Sequence, residues 1–451
     1  MKVVFSSFFK PGEGGGDARV AQEISQAFAK QGHQVLFVQP GKENSEFVKD
    51  VGVRVCSVKS VGEENVSIPA LTPKSIKFIF SCLKEFSPDV VHGQDPGPLA
   101  YLLQFWAKEN KVPFFFTSHV LPTRVSEFGG QTVSPLIDKF FESSLFESYF
   151  ANFFENCDAV IALNKANRRD IRTYGYEGNI FTIPNGRNLS LYTCLPYPDN
   201  NVEPVRLLFV GFISRRKNQK FLLQVKKHLP AECHLDLVGG VLEEDYFSEL
   251  NQFIEKNKLK NVKFWGQVTH EKVVELLGKS TLFVSASQLE VQSLVILEAL
   301  AAGRPVIGLD NETVGELVDE DVGVKLPADT TPVNFAKELE NLLSYPSSKF
   351  NKICKNARSR VTPFDWENVV KRTVSAYEKL CSAKLEKRHV SWEEQDLSKW
   401  EEIRGGWLKN WRQEDKKTYQ YSWWAAFPVI LVSLLGTAFY SLRDIWVETV
   451  K

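Results

Sequence analysis

The most informative stretch of this sequence is Ser287-Gln-Leu-Glu290-Val-Gln-Ser293-Leu-Val-Ile-Leu-Glu298-Ala-Leu-Ala-Ala-Gly303-Arg-Pro305-Val-Ile307. Two carboxylates, Glu290 and Glu298, stand eight residues apart across a turn that opens an apolar helix. Ser293 and Leu294 fall at the predicted helix N-terminus, where backbone amides can hold an anion. Glu298 lies about one and a half turns further on and can return to the same cleft. The pattern suits a nucleotide-sugar; an ordinary amphipathic helix with two solvated glutamates is the alternative.

The composition is that of a large globular protein without a strong charge of either sign. The chain has 451 residues, with 55 Lys and Arg against 55 Asp and Glu. This length predicts two domains and an appendage, and the charge balance argues against a surface for nucleic acid. The seven cysteines are scattered, which indicates buried thiols in a reducing compartment. The apolar run in residues 1–10 is too short for a signal peptide, so the catalytic part is expected in the cytosol.

Short β-branched runs alternate with helical patterns, which is typical of α/β folds with parallel sheets. The first half predicts strands at Val3–Ser6, Gln34–Val38, Val53–Val58, Val90–His92, Pro113–Thr117, Ala159–Leu163 and Ile180–Ile183. After a polar linker, the second half predicts strands at Arg206–Val210, Leu235–Val238, Val262–Phe264, Thr281–Ser285, Pro305–Gly308 and Val322–Leu326. Two consecutive Rossmann-like halves with a cleft between them follow from this order.

The C-terminal part of the chain changes character twice. A helical pattern over residues 366–385 is followed by a charged, tryptophan-rich segment at 386–417 and by an uncharged, apolar run at 418–442. That run is long enough to cross a bilayer core of about 30 Å as a helix. Trp423 and Trp446 stand where interfacial aromatic residues belong. We expect a single membrane helix near the C-terminus; a buried or interfacial helix is the alternative.

The charges around the apolar run predict its orientation. The basic residues before it are Lys409, Arg412, Lys416 and Lys417, and those after it are Arg443 and Lys451. Positive charge stays on the cytosolic side of a membrane helix. The catalytic domains are therefore expected on the cytoplasmic face of a membrane.

A glycine-rich loop, Gly14-Gly15-Gly16, follows the first predicted strand and precedes a helix. Glycines there let backbone amides approach a phosphate without interference from Cβ atoms. A plain flexible loop is the alternative. The fingerprint Gly-x-Gly-x-x-Gly is absent and no acidic residue ends the second strand, so a nicotinamide cofactor is disfavoured.

Two of the predicted buried strands end near histidines. Thr117-Ser118-His119 places an imidazole at a carboxyl end, where α/β proteins bind ligands; a structural histidine is the alternative. His92 and Asp95 lie at a similar strand end, but turn and helix capping is the stronger interpretation for them.

A basic turn, Arg215-Arg216-Lys217-Asn218, follows the first strand of the second half. A lysine and an arginine at a helix start can neutralise a diphosphate leaving group. We assign this role to Lys217 and Arg216, with Arg215 as the competing arginine. A solvated basic helix start is the alternative.

Taken together, these motifs resemble those of the retaining GT-B glycosyltransferases of the group 1 and family 4 type, and in particular the lipid glucosyl- and mannosyltransferases acting on diacylglycerol or phosphatidylinositol. The resemblance covers about residues 1–380 and is most specific in the C-terminal half. It implies an α/β GT-B fold of two Rossmann-like domains facing across a cleft, with a C-terminal membrane-helix extension. The implied parts are an acceptor domain at 1–195, a nucleotide-sugar donor domain at 205–365 and a crossover helix at 366–385.

The resemblance also implies roles for individual residues. In that family the histidine matched by His119 lies beside the transferred sugar, the first glutamate, here Glu290, faces the donor sugar, and the second, here Glu298, bonds the ribose. Phe212 stands where the family commonly has an arginine. The catalytic candidates are His119, Lys217 and Glu290, and the donor-binding candidates are Gly15, Gly16, Arg216, Val268, Ser293, Leu294 and Glu298.

The implied activity is that of a retaining, metal-independent hexosyltransferase of glycolipid biosynthesis. Its donor would be UDP- or GDP-hexose, used as a substrate and not as a cofactor, and its acceptor a membrane lipid or lipid-linked sugar. Neither a resident cofactor nor a metal ion is expected, because no carboxylate-rich pair ends a predicted strand. Two alternatives stay open: a glycosyltransferase acting on a soluble sugar, and a catalytically inactive GT-B membrane scaffold.

Overall fold

The structure is a computed structural model of the chain, and it describes residues 1–10, 16–61, 68–124 and 144–382. Gly15, the charged segment at 386–417 and the apolar run at 418–442 lie outside the described residues. Among the helices in the described ranges, none is both long and apolar enough to cross a bilayer. The membrane helix expected from the sequence stays a prediction.

The first half of the chain forms a mainly parallel sheet. Its strands are β1 (Lys2–Ser6), β2 (Gln34–Gly41), β3 (Ser45–Val48), β4 (Arg54–Val61), β5 (Ile68–Pro69), β6 (Val90–Gly93), β7 (Phe114–Ser118), β8 (Ala159–Ala162) and β9 (Asn179–Thr182). In the described part of the chain they pair in the order β3-β4-β2-β1-β6-β7-β8-β9, with β5 on β4. The helices are α1 (Gly16–Lys30), α2 (Pro73–Phe86), α3 (Pro98–Glu109), α4 (Ser144–Glu155) and α5 (Lys165–Tyr174).

Strand β1 shows how this sheet is buried on both faces. Val3 and Phe5 pack in one apolar cluster with Phe28 of α1, whereas Val4 packs in a second cluster with Leu83 of α2. Successive side chains of a strand point to opposite faces, so an unbroken apolar run needs helices on both sides. Every strand predicted for this half is found. The short strands β3 and β5 were not predicted, because neither is marked by an apolar run.

The second half forms a parallel sheet of its own. Its strands are β10 (Arg206–Val210), β11 (His234–Val238), β12 (Val262–Gly266), β13 (Leu282–Ser285), β14 (Val306–Leu309) and β15 (Gly323–Leu326), paired in the order β12-β11-β10-β13-β14-β15. This is the doubly wound Rossmann order, and every predicted strand is found. The helices are α6 (Ser190–Thr193), α7 (Gln219–Lys226), α8 (Glu244–Asn257), α9 (His270–Lys279), α10 (Leu294–Ala301), α11 (Val314–Leu317), α12 (Pro332–Leu343) and α13 (Ser347–Arg360).

The last described helix, α14 (Trp366–Ser382), follows the second sheet in the chain but packs on the first. Val370 and Tyr377 are fully buried in the cluster that contains Phe5 and Phe28. The rings of Phe28 and Tyr377 lie 5.9 Å apart between centroids. Helix α14 thus completes the core of the first half and ties the two halves together.

The carboxyl ends of the two sheets meet each other. Asn164, which follows β8, donates from Nδ2 to the carbonyl of Val291 in the loop after β13, at 2.5 Å. Four leucine and valine side chains seal the same contact: Leu121, Leu163, Leu289 and Val291. Ligands of doubly wound sheets bind beyond the carboxyl ends of the strands, where the strand order reverses. In these sheets the order reverses between β1 and β6 and between β10 and β13, and the loops after those strands define the candidate site.

Candidate active site

The loop after β13 is held in shape by the loop after β14. The amide of Asn311 donates to the carbonyl of Ser287 at 2.8 Å, and the backbone N–H of Ser293 donates to the hydroxyl of Thr313 at 2.9 Å. Helix α10 begins at Leu294, with Ser293 as its N-cap residue in an extended conformation. The predicted helix N-terminus is therefore present. Because Thr313 already engages the Ser293 amide, the Leu294 amide is the better placed of the two for an anion.

Lys217 and Glu290 form a direct ion pair between the loops after β10 and β13. Their side chains are 13% and 11% exposed, so the pair opens to the cleft at one side. Glu290 is further fixed through its backbone N–H, which donates to the carboxylate of Glu312 at 3.3 Å. The structure thus brings a candidate phosphate-binding cation next to the carboxylate expected at the donor sugar.

The two arginines of the basic turn point to different places. Arg216 donates to the carbonyl of Leu289 at 2.9 Å, and its own carbonyl accepts from the Gln288 N–H at 3.0 Å. Arg215 turns instead to the surface, where it is 48% exposed and pairs with Asp245 at 2.9 Å. Of the two, Arg216 lies at the candidate site and braces the loop that carries Glu290.

Gly16, the first residue of α1, lies against the second half of the chain. A Cβ atom at this position would stand 2.9 Å from Cδ1 of Leu294, at the N-terminus of α10. Leu294 itself packs in an apolar cluster with Val20 of α1. The glycine therefore permits a close approach of two helix N-termini from opposite sides of the cleft. Gly15, the preceding donor-binding candidate, is outside the described residues.

Glu298 is buried beside arginines of the first half. Its Oε1 lies 3.1 Å from Nε of Arg187 and 3.8 Å from Nη1 of Arg19. Glu23 joins both arginines, at 2.6 Å from Arg187 and 2.7 Å from Arg19. Burial acts against it, but Arg187 and Arg19 hold the pKa of Glu23 below its usual range. The contact between Arg187 Nε and Glu298 Oε1 is an ion pair without the geometry of a hydrogen bond. Within the described structure, Glu298 Oε1 accepts no hydrogen bond.

His270, at the start of α9, completes this ionic cluster. Each of its ring nitrogens lies 3.0 Å from a guanidinium nitrogen of Arg19, and Nε2 lies 2.9 Å from the hydroxyl of Tyr192. Burial and the charge of Arg19 lower the pKa of His270. The imidazole is held between an arginine and a tyrosine, two residues after Val268, the candidate for contact with the nucleotide base.

Val268 lies in the loop between β12 and α9 and is half-buried. It packs at the margin of the apolar cluster that contains Val273 and Leu276 of α9. The neighbouring Gly266 has a φ of +67° and its carbonyl accepts from the Gly239 N–H at 2.9 Å. This loop and the Gly239 turn therefore lie side by side at the carboxyl edge of the second sheet.

His119 directly follows β7 and contacts the end of β6. Its Nε2 lies 3.1 Å from Oε1 of Gln94. The nearby His92 is fully buried and contacts the hydroxyls of Tyr377 and Thr117 at 2.6 and 2.7 Å. Asp95 accepts hydrogen bonds from the backbone of the loops around it, as the capping interpretation of the sequence predicts.

Several residues of the site carry no recognisable sequence signal. Arg19 and Glu23 stand four positions apart on α1, which marks a helical ion pair and nothing more. Arg187 and Gln94 lie in loops without a motif, and His270 is an ordinary first residue of a helix. Within the described ranges, no group of three or more His, Cys, Asp or Glu side chains could hold a metal ion.

Sequence models of two families match consecutive parts of the chain. Glycosyltransferase Family 4 matches residues 14–191, and Glycosyl transferases group 1 matches residues 198–360. These matches, on two Rossmann-like sheets with their carboxyl edges in contact, define a transferase of the GT-B class. The chain belongs to the GT-B glycosyltransferases composed of these two modules.

Curated relatives agree with this assignment. The chain is 23% identical over 326 residues to alpha-monoglucosyldiacylglycerol synthase of Streptococcus pneumoniae, covering 68% of the chain and 70% of the relative. It is 22% identical over 390 residues to a phosphatidylinositol N-acetylglucosaminyltransferase component of Arabidopsis thaliana, covering 84% and 81%.

Solved structures of other proteins share the fold. Sucrose-phosphate synthase of Thermosynechococcus elongatus matches with a TM-score of 0.68 at 20% identity, covering 85% of this chain and 99% of that one. HepE of Anabaena in complex with UDP-glucose matches with a TM-score of 0.65 at 18% identity, covering 84% and 100%. At these identities the two structures establish the GT-B fold of this chain.

Proposed function

We propose that this chain is a retaining hexosyltransferase that moves a hexose from UDP- or GDP-hexose to a membrane lipid or lipid-linked acceptor, without a metal ion or cofactor. The observation that carries the proposal is the ion pair of Lys217 and Glu290 between the loops after β10 and β13. It sets a cation and a carboxylate at the switch point of the second sheet, beside the N-terminus of α10. A sugar diphosphate needs this arrangement: positive groups for the phosphates and a hydrogen-bond acceptor for the sugar.

The diphosphate is the part of the donor that the site suits best. In the proposed complex Lys217 turns from Glu290 to the phosphates, and the amide of Leu294 faces them from the helix N-terminus. The N-terminus of α1, at Gly16, closes the site from the opposite domain. Preorganised positive groups around a departing anion supply a large share of the rate enhancement in reactions of this kind.

The nucleoside is proposed to lie along α9 and α10. The buried Oε1 of Glu298 has no hydrogen-bond donor within the described structure, so a ribose hydroxyl would satisfy it. Val268 borders the same edge of the sheet and offers backbone groups to the base. HepE, a structural relative, has been solved in complex with UDP-glucose, which supports a nucleotide-sugar as donor.

We propose that the transfer retains the configuration of the anomeric carbon, with His119 and Glu290 both beside the sugar and neither acting as a nucleophile. Leu121 and Leu289 belong to one apolar cluster, so the loop that follows His119 lies near the loop that carries Glu290. With Lys217 at the phosphates, we assign Glu290 to hydrogen bonds with the sugar hydroxyls and not to attack on the anomeric carbon. The acceptor oxygen then bonds to the anomeric carbon on the face from which the diphosphate leaves, and its proton passes to the leaving phosphate oxygen.

A lipid acceptor is proposed from two independent observations. The names of two relatives, an alpha-monoglucosyldiacylglycerol synthase and a phosphatidylinositol N-acetylglucosaminyltransferase component, refer to lipids. The uncharged run at 418–442 would hold the catalytic domains at the cytoplasmic face of a membrane. Sucrose-phosphate synthase, another structural relative, makes a soluble acceptor the competing proposal.

The donor can be identified without knowing the acceptor. Thermal stability of the purified protein is measured with UDP-, GDP- and ADP-hexoses, and slow donor hydrolysis is followed for those that stabilise it. If one donor stabilises the protein and is hydrolysed by it, the proposal of an active enzyme is supported. If no donor does either, the inactive scaffold is supported. Hydrolysis and transfer should persist in EDTA, and activity restored only by Mn²⁺ or Mg²⁺ would contradict metal independence.

The acceptor is tested with two forms of the protein, the full chain and a form truncated after residue 384. Each is assayed with the identified donor on vesicles that contain diacylglycerol or phosphatidylinositol, and on soluble sugar phosphates. The lipid proposal expects transfer to vesicle lipid by the full chain and weak transfer by the truncated form. Transfer to a soluble sugar by both forms equally would favour the competing proposal.

A further inference from the structure

A continuous path of polar contacts leads from α14 to the candidate catalytic histidine. The hydroxyl of Tyr377 lies 2.6 Å from Nδ1 of His92, and Nε2 of the same ring lies 3.2 Å from the amide nitrogen of Gln94. The amide oxygen of Gln94 then lies 3.1 Å from Nε2 of His119. Thr117 adds its hydroxyl to His92 Nε2 at 2.7 Å. Tyr377 and His92 are fully buried, and Gln94 is 2% exposed, so solvent cannot easily replace these partners.

The Gln94 amide determines the direction of every hydrogen bond along this path. An amide nitrogen can only donate, so His92 accepts at Nε2 and carries its proton on Nδ1, from which it donates to Tyr377. An amide oxygen can only accept, so His119 must carry a proton on Nε2. Burial, with the charge of His119 as a smaller cause, lowers the pKa of His92 to about 3, which keeps His92 neutral.

The side chain at position 94 has to offer a donor and an acceptor on one rigid plane. Glutamine does so, whereas leucine would leave both His92 and His119 without this partner. Burial raises the pKa of Tyr377 well above its usual value, so the path contains no ionised group between α14 and Gln94. Along this path, the tautomer of His119 is therefore set by hydrogen-bond direction.

We propose that Gln94, supported by His92 and Tyr377, is a positioning residue that holds His119 in the tautomer protonated at Nε2. The ring then carries its lone pair on Nδ1, as an acceptor for a hydroxyl of the transferred sugar. The proposal rests on the proposed function of His119 beside that sugar. It also gives α14 a role in the site, because Tyr377 fixes the far end of the path from the helix that joins the two domains.

The test compares the full-chain variants Gln94→Leu and Gln94→Glu with wild type. Gln94→Leu should lower kcat by about tenfold to a hundredfold and leave the donor KM nearly unchanged, because ring orientation and tautomer are lost but the donor site is intact. Gln94→Glu keeps an acceptor for His119, while His92 can reverse its tautomer towards Tyr377. Its negative charge favours the imidazolium, so the acid limb of the pH profile of kcat/KM should move up by about one pH unit or more.

Gln104→Leu is the matched control. Gln104 is as deeply buried in the same domain, and it donates to the Phe153 carbonyl at 3.0 Å, away from this path. Its loss should lower stability without moving the pH profile. If Gln94→Leu fails to fold, the pH profile of Gln94→Glu still tests the positioning role of Gln94. A profile identical to wild type in Gln94→Glu, or equal kinetic effects of Gln94→Leu and Gln104→Leu, would overturn the proposal.

The ¹⁵N signals of the His119 ring separate this inference from the proposed function. They are assigned by comparison with His119→Ala and should show a proton on Nε2 in wild type. In Gln94→Leu they should show a mixture of tautomers. Full transfer activity in His119→Ala would refute the role of His119 in catalysis, whereas the ring signals would still report its positioning. A wild-type ring protonated at Nδ1 would overturn the positioning itself.

Discussion

Arg187 of the first domain and Glu298 of the second form a buried ion pair, with Nε 3.1 Å from Oε1 and exposures of 3% and 2% for the two side chains. Glu23 and Arg19 extend the pair into a cluster that crosses the cleft. The residue proposed to bind the ribose is thus held by the opposite domain. Donor binding and contact between the domains therefore depend on the same carboxylate.

Arg187→Leu should destabilise the protein strongly, because it leaves the buried Glu298 without its main counter-charge. Breaking a buried pair in this way costs about 3–5 kcal/mol. Urea unfolding measures the effect, and Arg187→Leu/Glu298→Gln should recover part of it. Arg215→Leu, which removes a surface arginine, is the control with a much smaller expected loss. Equal stability of Arg187→Leu and wild type would show that the cluster does not hold the domains.

Glu298→Gln should act chiefly on the donor. A ribose contact is present in both the ground state and the transition state, so its loss raises the donor KM with little change in kcat. Steady-state kinetics and calorimetric titration with the nucleoside diphosphate check this. A fall in kcat at unchanged KM would assign Glu298 to the reacting sugar instead.

Lys217→Ala should lower kcat by about a hundredfold to a thousandfold, the scale for losing one stabiliser of a developing anion. Lys220→Ala is the control, because Lys220 lies on the next turn and pairs with Glu249 on the surface side. It should turn over normally. Near-normal turnover by Lys217→Ala would show that Lys217 does not stabilise the leaving group.

Substitution of Gly16 should show a graded effect with side-chain size. Alanine should be tolerated, because the atom in its way is the movable end of the Leu294 side chain at 2.9 Å. Valine should lower both kcat and donor affinity by keeping the domains apart, and Leu294→Ala should restore activity to Gly16→Val. If Leu294→Ala does not restore activity and circular dichroism shows an intact fold, the contact between Gly16 and Leu294 is not what limits substitution at position 16.

The stability of the protein should fall between pH 7 and pH 5. His92 has an ordinary pKa of 6.5 when unfolded and about 3 when buried, so the unfolded state binds more protons in this range. Acidification therefore favours unfolding, by about 2 kcal/mol at pH 5 from this residue alone. The lowered pKa of His270 acts in the same direction. His92→Asn should flatten the slope, measured by urea unfolding at each pH, and an unchanged slope would contradict the burial of a neutral His92.

The positions of the strands, and their division into two consecutive sheets, were predictable from local patterns. Apolar runs such as Val3–Ser6 and Leu282–Ser285 become parallel strands because hydrophobic burial on two faces leaves a signal in consecutive residues. The start of α10 at Leu294 was predictable for a similar reason, since a turn before an apolar helix is a local feature. The roles assigned to the site residues, and the membrane helix at 418–442, stay predictions.

The partners of those residues depend on the tertiary structure. Lys217 meets Glu290 across 73 positions, and Gln94 reaches His119 across 25 positions, through contacts that no periodicity encodes. Arg187 follows a plain loop, yet folding places it 3.1 Å from Glu298. Local sequence determines which segments become strands and helices, because that choice rests on neighbouring residues. Charges and hydrogen bonds between domains are set only when the two sheets meet, because their geometry depends on the packing of segments far apart in the chain.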